Sequence, residues 1–371
     1  MIVRESSTMF SFETKGVRGA CDVDEDAESD LRAGAALPVS DVLLPLTDAV
    51  FEPGGAFGAV REIGDSCSRD VALAEYHYYR GEAQKCSDVV EPHLASRDPL
   101  IRLASCWLYG YANLALNRTP LTRKAIVQVH EMFEDLSFCA SRPRLMASAI
   151  LVETGSATLL HLPVPKDIPP LAMAMCELPE GLRLFAAYVN AHRLYLRGDH
   201  AASIGLAEGS LAFLTASHPI PEIYVHLVCV MNYMSLRQAD KAREHFMAAW
   251  ELARPDGLIE PFGEHHGLMG GMLEQCLKHD WPDDFKRIVD ITYRFAYGWR
   301  RIHNQATSST VADTLSTTQF TCAMLASRSW TNKEIAEHLG LSASTVKTYL
   351  SEAYAKLGIT RRCQLAPFML K

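Results

Sequence analysis

Near the end of the chain, residues that cap helices alternate at regular intervals with residues that carry charge. Thr331-Asn332-Lys333-Glu334 fits a capping box, in which the Thr oxygen takes an orphan helix N–H and the Glu three residues on reaches back. Ile335, Ala336 and Leu339 then share one face, and Gly340 stands where a left-handed residue ends a helix. Ser342 is placed to cap a second helix running through Val346 to Leu357, with Gly358 as its stop. Two short helices joined across Gly340-Leu341-Ser342 make a helix-turn-helix, whose second helix fits the major groove of DNA. Val346, Leu350, Ala353 and Leu357 repeat at three- and four-residue steps, so they face a small core with Ile335 and Leu339. The opposite face carries Lys347, Thr348 and Ser351.

This stretch resembles the DNA-binding domain of the LuxR/NarL-type bacterial transcription regulators. The likeness rests on Leu315-Ser316-x-x-Gln319, Leu325-Ala326, the run Thr331–Leu339, Ser342-x-x-Thr345-Val346-Lys347, and Lys356-Leu357-Gly358-Ile359, all at family spacing. It implies a four-helix unit over 315–371 with double-stranded DNA as its partner. By resemblance, Lys347, Thr348 and Ser351 read bases: Lys347 donates to guanine O6/N7 and the Thr348 methyl touches thymine. Thr331, Asn332, Lys333, Ser344, Thr345 and Arg361 are placed for phosphates, which position the protein without reading sequence. A fourth helix in this family often makes a dimer contact, which points to Leu365, Phe368 and Met369 and to a homodimer. The chain departs from the pattern at several places. Gln319 and Thr321 replace acidic residues, which weakens ionic links inside the unit, and Glu352 would cost affinity if it faced phosphate. Pro367 falls inside the fourth helix, where it removes an N–H and bends or ends it.

Charge supports the same reading. Residues 315–371 hold seven basic side chains and three acidic ones, a balance of +4 on a chain whose total is −8. The rest of the molecule therefore carries −12, and DNA binding must come from the local basic end.

The elements that carry this unit are helical. From about residue 41 to 300 the apolar spacing has a helical period, and strand alternation is nearly absent, so an all-α fold is expected. A weak repeat recurs where one helix ends, a polar or Gly turn intervenes and a second helix follows. Its instances are Tyr78–Ala83, Tyr195–Ala201, Leu236–Ala242 (followed by Phe246 and Trp250) and Leu277–Trp281. These turns resemble the tetratricopeptide-like helical repeats, with a non-repeating helical bundle as the alternative. Pro163, Pro165, Pro169 and Pro170 interrupt the region, and a new helix is expected from Leu171 to Cys176. Residues 301–314 lose the apolar period and read as a linker. Residues 1–40, with C-D-V-D-E-D-A-E-S-D at 21–30, read as a flexible acidic leader.

Several classes of chemistry are disfavoured. The ten cysteines form no CxxC, so metal and disulfide roles give way to buried small hydrophobes, and no metal or other cofactor is expected. There is no Walker lysine motif, and Gly54–Gly58 reads as a loop. His130-Glu131-Met132-Phe133-Glu134 lacks a second zincin His, and Gly64-Asp65-Ser66 lacks a catalytic partner, so no catalytic residue is assigned and no enzyme is expected. Glu264-His265-His266 is the one tight His cluster, read as polar surface or loop. No apolar run reaches the ~18 residues of a membrane span, and Met1–Ser11 holds no apolar core, so the expected location is the cytoplasm, away from membranes. The expected function is a transcription regulator that reads duplex DNA with its terminal unit and receives an unknown small ligand or protein through the helical region. The alternative is a helical interaction adaptor whose terminal unit does not bind DNA.

Overall fold

The computed structural model describes residues 42–137, 142–307 and 315–369; the acidic leader, the end of the linker and Lys371 lie outside them. All the regular elements among the described residues are helical, as the apolar period requires. Two short helices, α1 (Pro45–Asp48) and α2 (Ala56–Glu62), come first, so Gly58 is helical rather than part of a loop. Asp65 then caps α3 (Ser66–Tyr79) by accepting from the Ser68 N–H, which gives Gly64-Asp65-Ser66 a structural job.

α3 turns back into α4 (Ala83–Val90), and α5 (Pro99–Ala115) into α6 (Thr119–Ser137). α7 (Pro143–Leu159) has no long partner, because the proline-rich stretch yields only α8 (Leu171–Ala174) and a 3-10 turn to Glu177. Two further pairs follow: α9 (Glu180–Leu196) with α10 (His200–Ala212), and α11 (Pro219–Ser235) with α12 (Ala239–Ala253).

One backbone device ends five of these helices. A left-handed residue stands at Gly81, Asn117, His161, Gly198 and Arg237, at intervals of 36 to 44 residues. At each, the next N–H reaches back five residues to a helix carbonyl: Glu82 to His77 (2.9 Å), Arg118 to Asn113 (2.8 Å), Leu162 to Ala157 (2.7 Å), Asp199 to Leu194 (3.0 Å) and Gln238 to Tyr233 (2.9 Å). This bond satisfies a carbonyl that a helix end would otherwise leave unpaired. The Leu277 instance differs, since Lys278 stays right-handed and the Trp281 N–H returns to Leu277.

Neighbouring pairs are also stapled to each other. Asn113 Nδ2 donates to Ser87 Oγ of the preceding pair (3.1 Å) and to the Tyr109 carbonyl of its own helix (2.9 Å). Asn232 Nδ2 repeats the arrangement with Ser203 Oγ (2.8 Å) and the Val228 carbonyl (2.7 Å). Both amides are fully buried, so each would be costly without these partners.

After α12 come α13 (Glu260–His265), α14 (Met272–Leu277) and α15 (Pro282–Thr307), the last running seven residues into the segment read as linker. α15 lies on α5 and α13. α13 carries the Glu264-His265 pair into the body rather than to its surface. Glu264 accepts from the hydroxyls of Tyr78 and Tyr224, the latter at 2.9 Å. His265 is buried, with its Nδ1–H donating to the Pro261 carbonyl (2.7 Å) and its Nε2 accepting from Tyr188 (2.7 Å). Burial holds His265 neutral, down at about 4.

Candidate nucleic-acid interface

Four helices close the chain: α16 (Thr317–Ser327), α17 (Asn332–Leu339), α18 (Ala343–Leu357) and the short α19 (Ala366–Met369). Their ends are fixed by the side chains that mark them in the sequence. Thr331 Oγ1 accepts from the Glu334 N–H (3.2 Å), and Glu334 Oε2 accepts from the Thr331 N–H (2.7 Å), a complete capping box. Gly340 and Gly358 are left-handed at φ +63° and +65°. Ser342 Oγ accepts from the Thr345 N–H at 3.0 Å. Two caps and two glycine stops thus bound α17 and α18.

α18 is amphipathic as its spacing dictates. Val346, Leu350 and Ala353 are buried with Ile335, while Leu339 and Leu357 are partly buried against the same core. Lys347, Thr348 and Ser351 are exposed on the other side. The two hydroxyls are tied to their own helix, Thr348 to the Ser344 carbonyl (3.1 Å) and Ser351 to the Lys347 carbonyl (2.9 Å). Thr331, Lys333, Ser344 and Arg361 are exposed, and Asn332 and Thr345 are half-buried. Lys333 lies 3.8 Å from Glu337 one turn on. Ser344 Oγ and Thr345 Oγ1 each lie 2.7 Å from Ser342 Oγ.

Basic residues divide into two groups. Arg362 is structural: its guanidinium donates to the Ala326 carbonyl (3.1 Å), the Trp330 carbonyl and Asn332 Oδ1 (3.1 Å), locking the turn between α16 and α17. Arg328 faces the helical body, donating to Tyr195 Oη and the Leu268 carbonyl. Lys333, Lys347 and Arg361 are exposed.

The departures from the family pattern have local explanations. Gln319 bridges two charged side chains: Nε2 donates to Glu352 (2.6 Å), and Oε1 accepts from Lys356 (2.9 Å) and from the Ser316 N–H (3.1 Å). Glu352 is thereby occupied inside the unit. Leu365 and Met369 are buried within the chain, 0% and 4% exposed, with Phe368 partly buried beside them, so they do not form an open apolar face.

α16 has apolar residues all round, and Cys322, Ala323, Met324 and Leu325 are fully buried because the helix serves two cores. One is the core with α18; the other is the loop 266–271 of the body. Gly271, left-handed at φ +90°, brings that loop against Leu339, and His338 Nε2 donates to the Gly270 carbonyl at 2.7 Å. Arg237, in the turn between α11 and α12, donates to Glu334.

Residues 313–369 match the family described as GerE, bacterial regulatory proteins, luxR family. The C-terminal helices are a LuxR-type domain. No curated protein and no solved structure matches the chain. The LuxR-type domain supports a DNA-binding transcription regulator. Among the described residues no helix is long and apolar enough to cross a membrane, and no cluster of three or more His, Cys, Asp or Glu could hold a metal ion. Five of the eight described cysteines are buried, while Cys176 and Cys363 are exposed.

Sequence reasoning missed Arg237, which lies outside the LuxR-type segment, and the buried roles of Arg328 and Arg362. Their signal was weak, because the partners that hold them lie far along the chain and nothing local marks them.

Proposed function

We propose that the LuxR-type domain inserts α18 into the major groove, with Lys347, Thr348 and Ser351 on base edges. Thr331, Asn332, Lys333, Ser344, Thr345 and Arg361 contact the flanking phosphates in this reading. The observation that carries it is the exposed polar face of α18, bounded by Ser342 and Gly358 and opposite the Val346–Ala353 core. A helix held by its apolar side and open on its polar side is what a groove reader requires.

The division into leader 1–40, body 41–300, linker 301–314 and reader 315–371 belongs to the same proposal. The body is a tetratricopeptide-like array that receives the regulatory signal; the recurrent left-handed turns and the Asn113 and Asn232 staples support this. Its loop 266–271 touches α16 and α17, which gives the array a route to the reader.

Gel shifts of the full chain on genomic fragments test the reading. Salt-sensitive binding that selects particular duplexes supports it, with affinity falling as salt rises because phosphate contacts release counterions. Absence of binding at low salt overturns it and leaves the adaptor reading in its place.

A further inference from the structure

The body meets the reader along a stripe of α17. Glu334 and His338 stand one turn apart on that helix and so share a face. Glu334 accepts from Arg237 of the α11–α12 turn, and His338 donates to the Gly270 carbonyl at 2.7 Å. α16 extends the contact against loop 266–271, and Arg328 just past its end reaches Tyr195. The polar face of α18 is not covered: Lys347, Thr348 and Ser351 are exposed with the body in place.

Glu334 joins Arg237 to the residues assigned to phosphates. Its Oε2 accepts from the Thr331 N–H while its Oε1 takes Arg237, so the guanidinium lies at the first turn of α17 with Thr331, Asn332 and Lys333. A bare carboxylate at this end of the helix would repel a phosphate backbone, and Arg237 cancels that charge. A guanidinium has N–H groups on three nitrogens. Among the described residues only Nη2 of Arg237 has an acceptor, which leaves Nε and Nη1 for an incoming anion. The side chain is part-exposed, so a phosphate oxygen can reach it. The turn Leu236–Lys241 carries Arg237 and Lys241 against Asp240 alone, a positive edge on a part of the chain that is acidic as a whole.

We propose that Arg237 is a DNA-backbone contact supplied by the body, gripping a phosphate next to those held by Thr331, Asn332 and Lys333 while body and reader stay docked. The inference rests on the reading of 315–371 as a duplex reader and adds a contact from outside that segment. At this edge the body strengthens DNA binding instead of opposing it. A phosphate contact carries no base information, so Arg237 sets affinity and salt response rather than the choice of duplex.

Gel shifts of the full chain over a range of salt, on a preferred duplex and on one altered at a single base pair, test the contact. Arg237→Gln should flatten the salt dependence by about one phosphate contact, making the fall in affinity between about 50 and 200 mM salt about 3.5-fold smaller. Discrimination between the two duplexes should stay at the parent's value. Glu334→Gln keeps the capping box, because Gln also serves at that position, and frees Arg237 from its carboxylate. It should bind DNA at least as tightly as the parent, with the parent's salt slope. Arg61→Gln, on α2 of the body, removes a charge of the same sign and should leave the slope unchanged. An unchanged slope in Arg237→Gln, an equally flattened slope in Arg61→Gln, or a loss of affinity in Glu334→Gln equal to that in Arg237→Gln would each overturn the proposal. The last result would make Arg237 a positioning residue that acts through Glu334. Parent binding with an unchanged slope in Arg237→Gln removes this contact alone, whereas no DNA binding by the parent overturns the duplex reading and the contact with it.

Discussion

Arg237, in the turn between α11 and α12 of the body, donates its Nη2 hydrogen to Glu334 Oε1 in the first turn of α17. Arg237 is left-handed at φ +62°, a position that Gly81 and Gly198 fill in two of the other turns. A side chain there costs about 1–2 kcal/mol, and the contact with Glu334 gives a reason for arginine to be retained. Both side chains are part-exposed, at 45% and 35%, so solvent screens the pair and it adds little to stability. Arg237→Gly should therefore leave global stability unchanged or slightly raised while speeding hydrogen exchange at the start of α17. Unaltered exchange there would show that the contact does not hold the reader.

Lys347→Ala should cost about 1–3 kcal/mol of discrimination between the preferred duplex and one altered at a single base pair. Competition binding at fixed salt measures it. A uniform loss across all duplexes would move Lys347 to the phosphate group of contacts.

Gly271→Ala meets both a left-handed backbone and the Leu339 side chain. The expected loss is about 1–3 kcal/mol, concentrated where the loop 266–271 meets α16 and α17. Limited proteolysis should then cleave between body and reader sooner than in the parent. Unchanged cleavage and an unchanged urea midpoint would mean that this loop adapts freely.

His226 Nδ1 lies 2.9 Å from His245 Nδ1, so one ring nitrogen must accept. Burial, together with the neighbouring ring, holds His226 down at about 4, while His245 Nε2 turns to Glu208 at 3.3 Å. The unfolded chain takes a proton near pH 6.5 that the native state refuses, so stability falls as pH drops from about 6.5 to about 4. Across that window His226 accounts for at most about 3 kcal/mol. Urea midpoints of His226→Asn should show a shallower acid slope than the parent, with much of the slope remaining because His192, His245, His265 and His338 are held down as well. Identical slopes would place the acid sensitivity elsewhere.

How much of this was legible in the sequence depends on how local each cause is. Thr331, Gly340, Ser342 and Gly358 act on their own helix ends, so the helix-turn-helix could be read residue by residue. The turn at Gly198 was readable because glycine advertises a left-handed backbone. The turns at Asn117 and His161 adopt the same conformation without that residue and passed unnoticed. Glu264 and His265 were assigned to the surface because charged residues usually lie there. Only the convergence of Tyr78, Tyr188 and Tyr224 from three separate helices draws them inside. Leu365 and Met369 entered through the family resemblance as dimer contacts, and nothing within four residues reveals that they are buried within the chain.

The double duty of α16 also shapes how the chain can be divided. Severed near residue 314, the terminal fragment would bare the flank around Phe320, Thr321 and Leu325 that the body loop now shields. Such a fragment would be sticky in proportion to that uncovered oil, and its self-association would arise from a surface that the intact chain covers with its own loop.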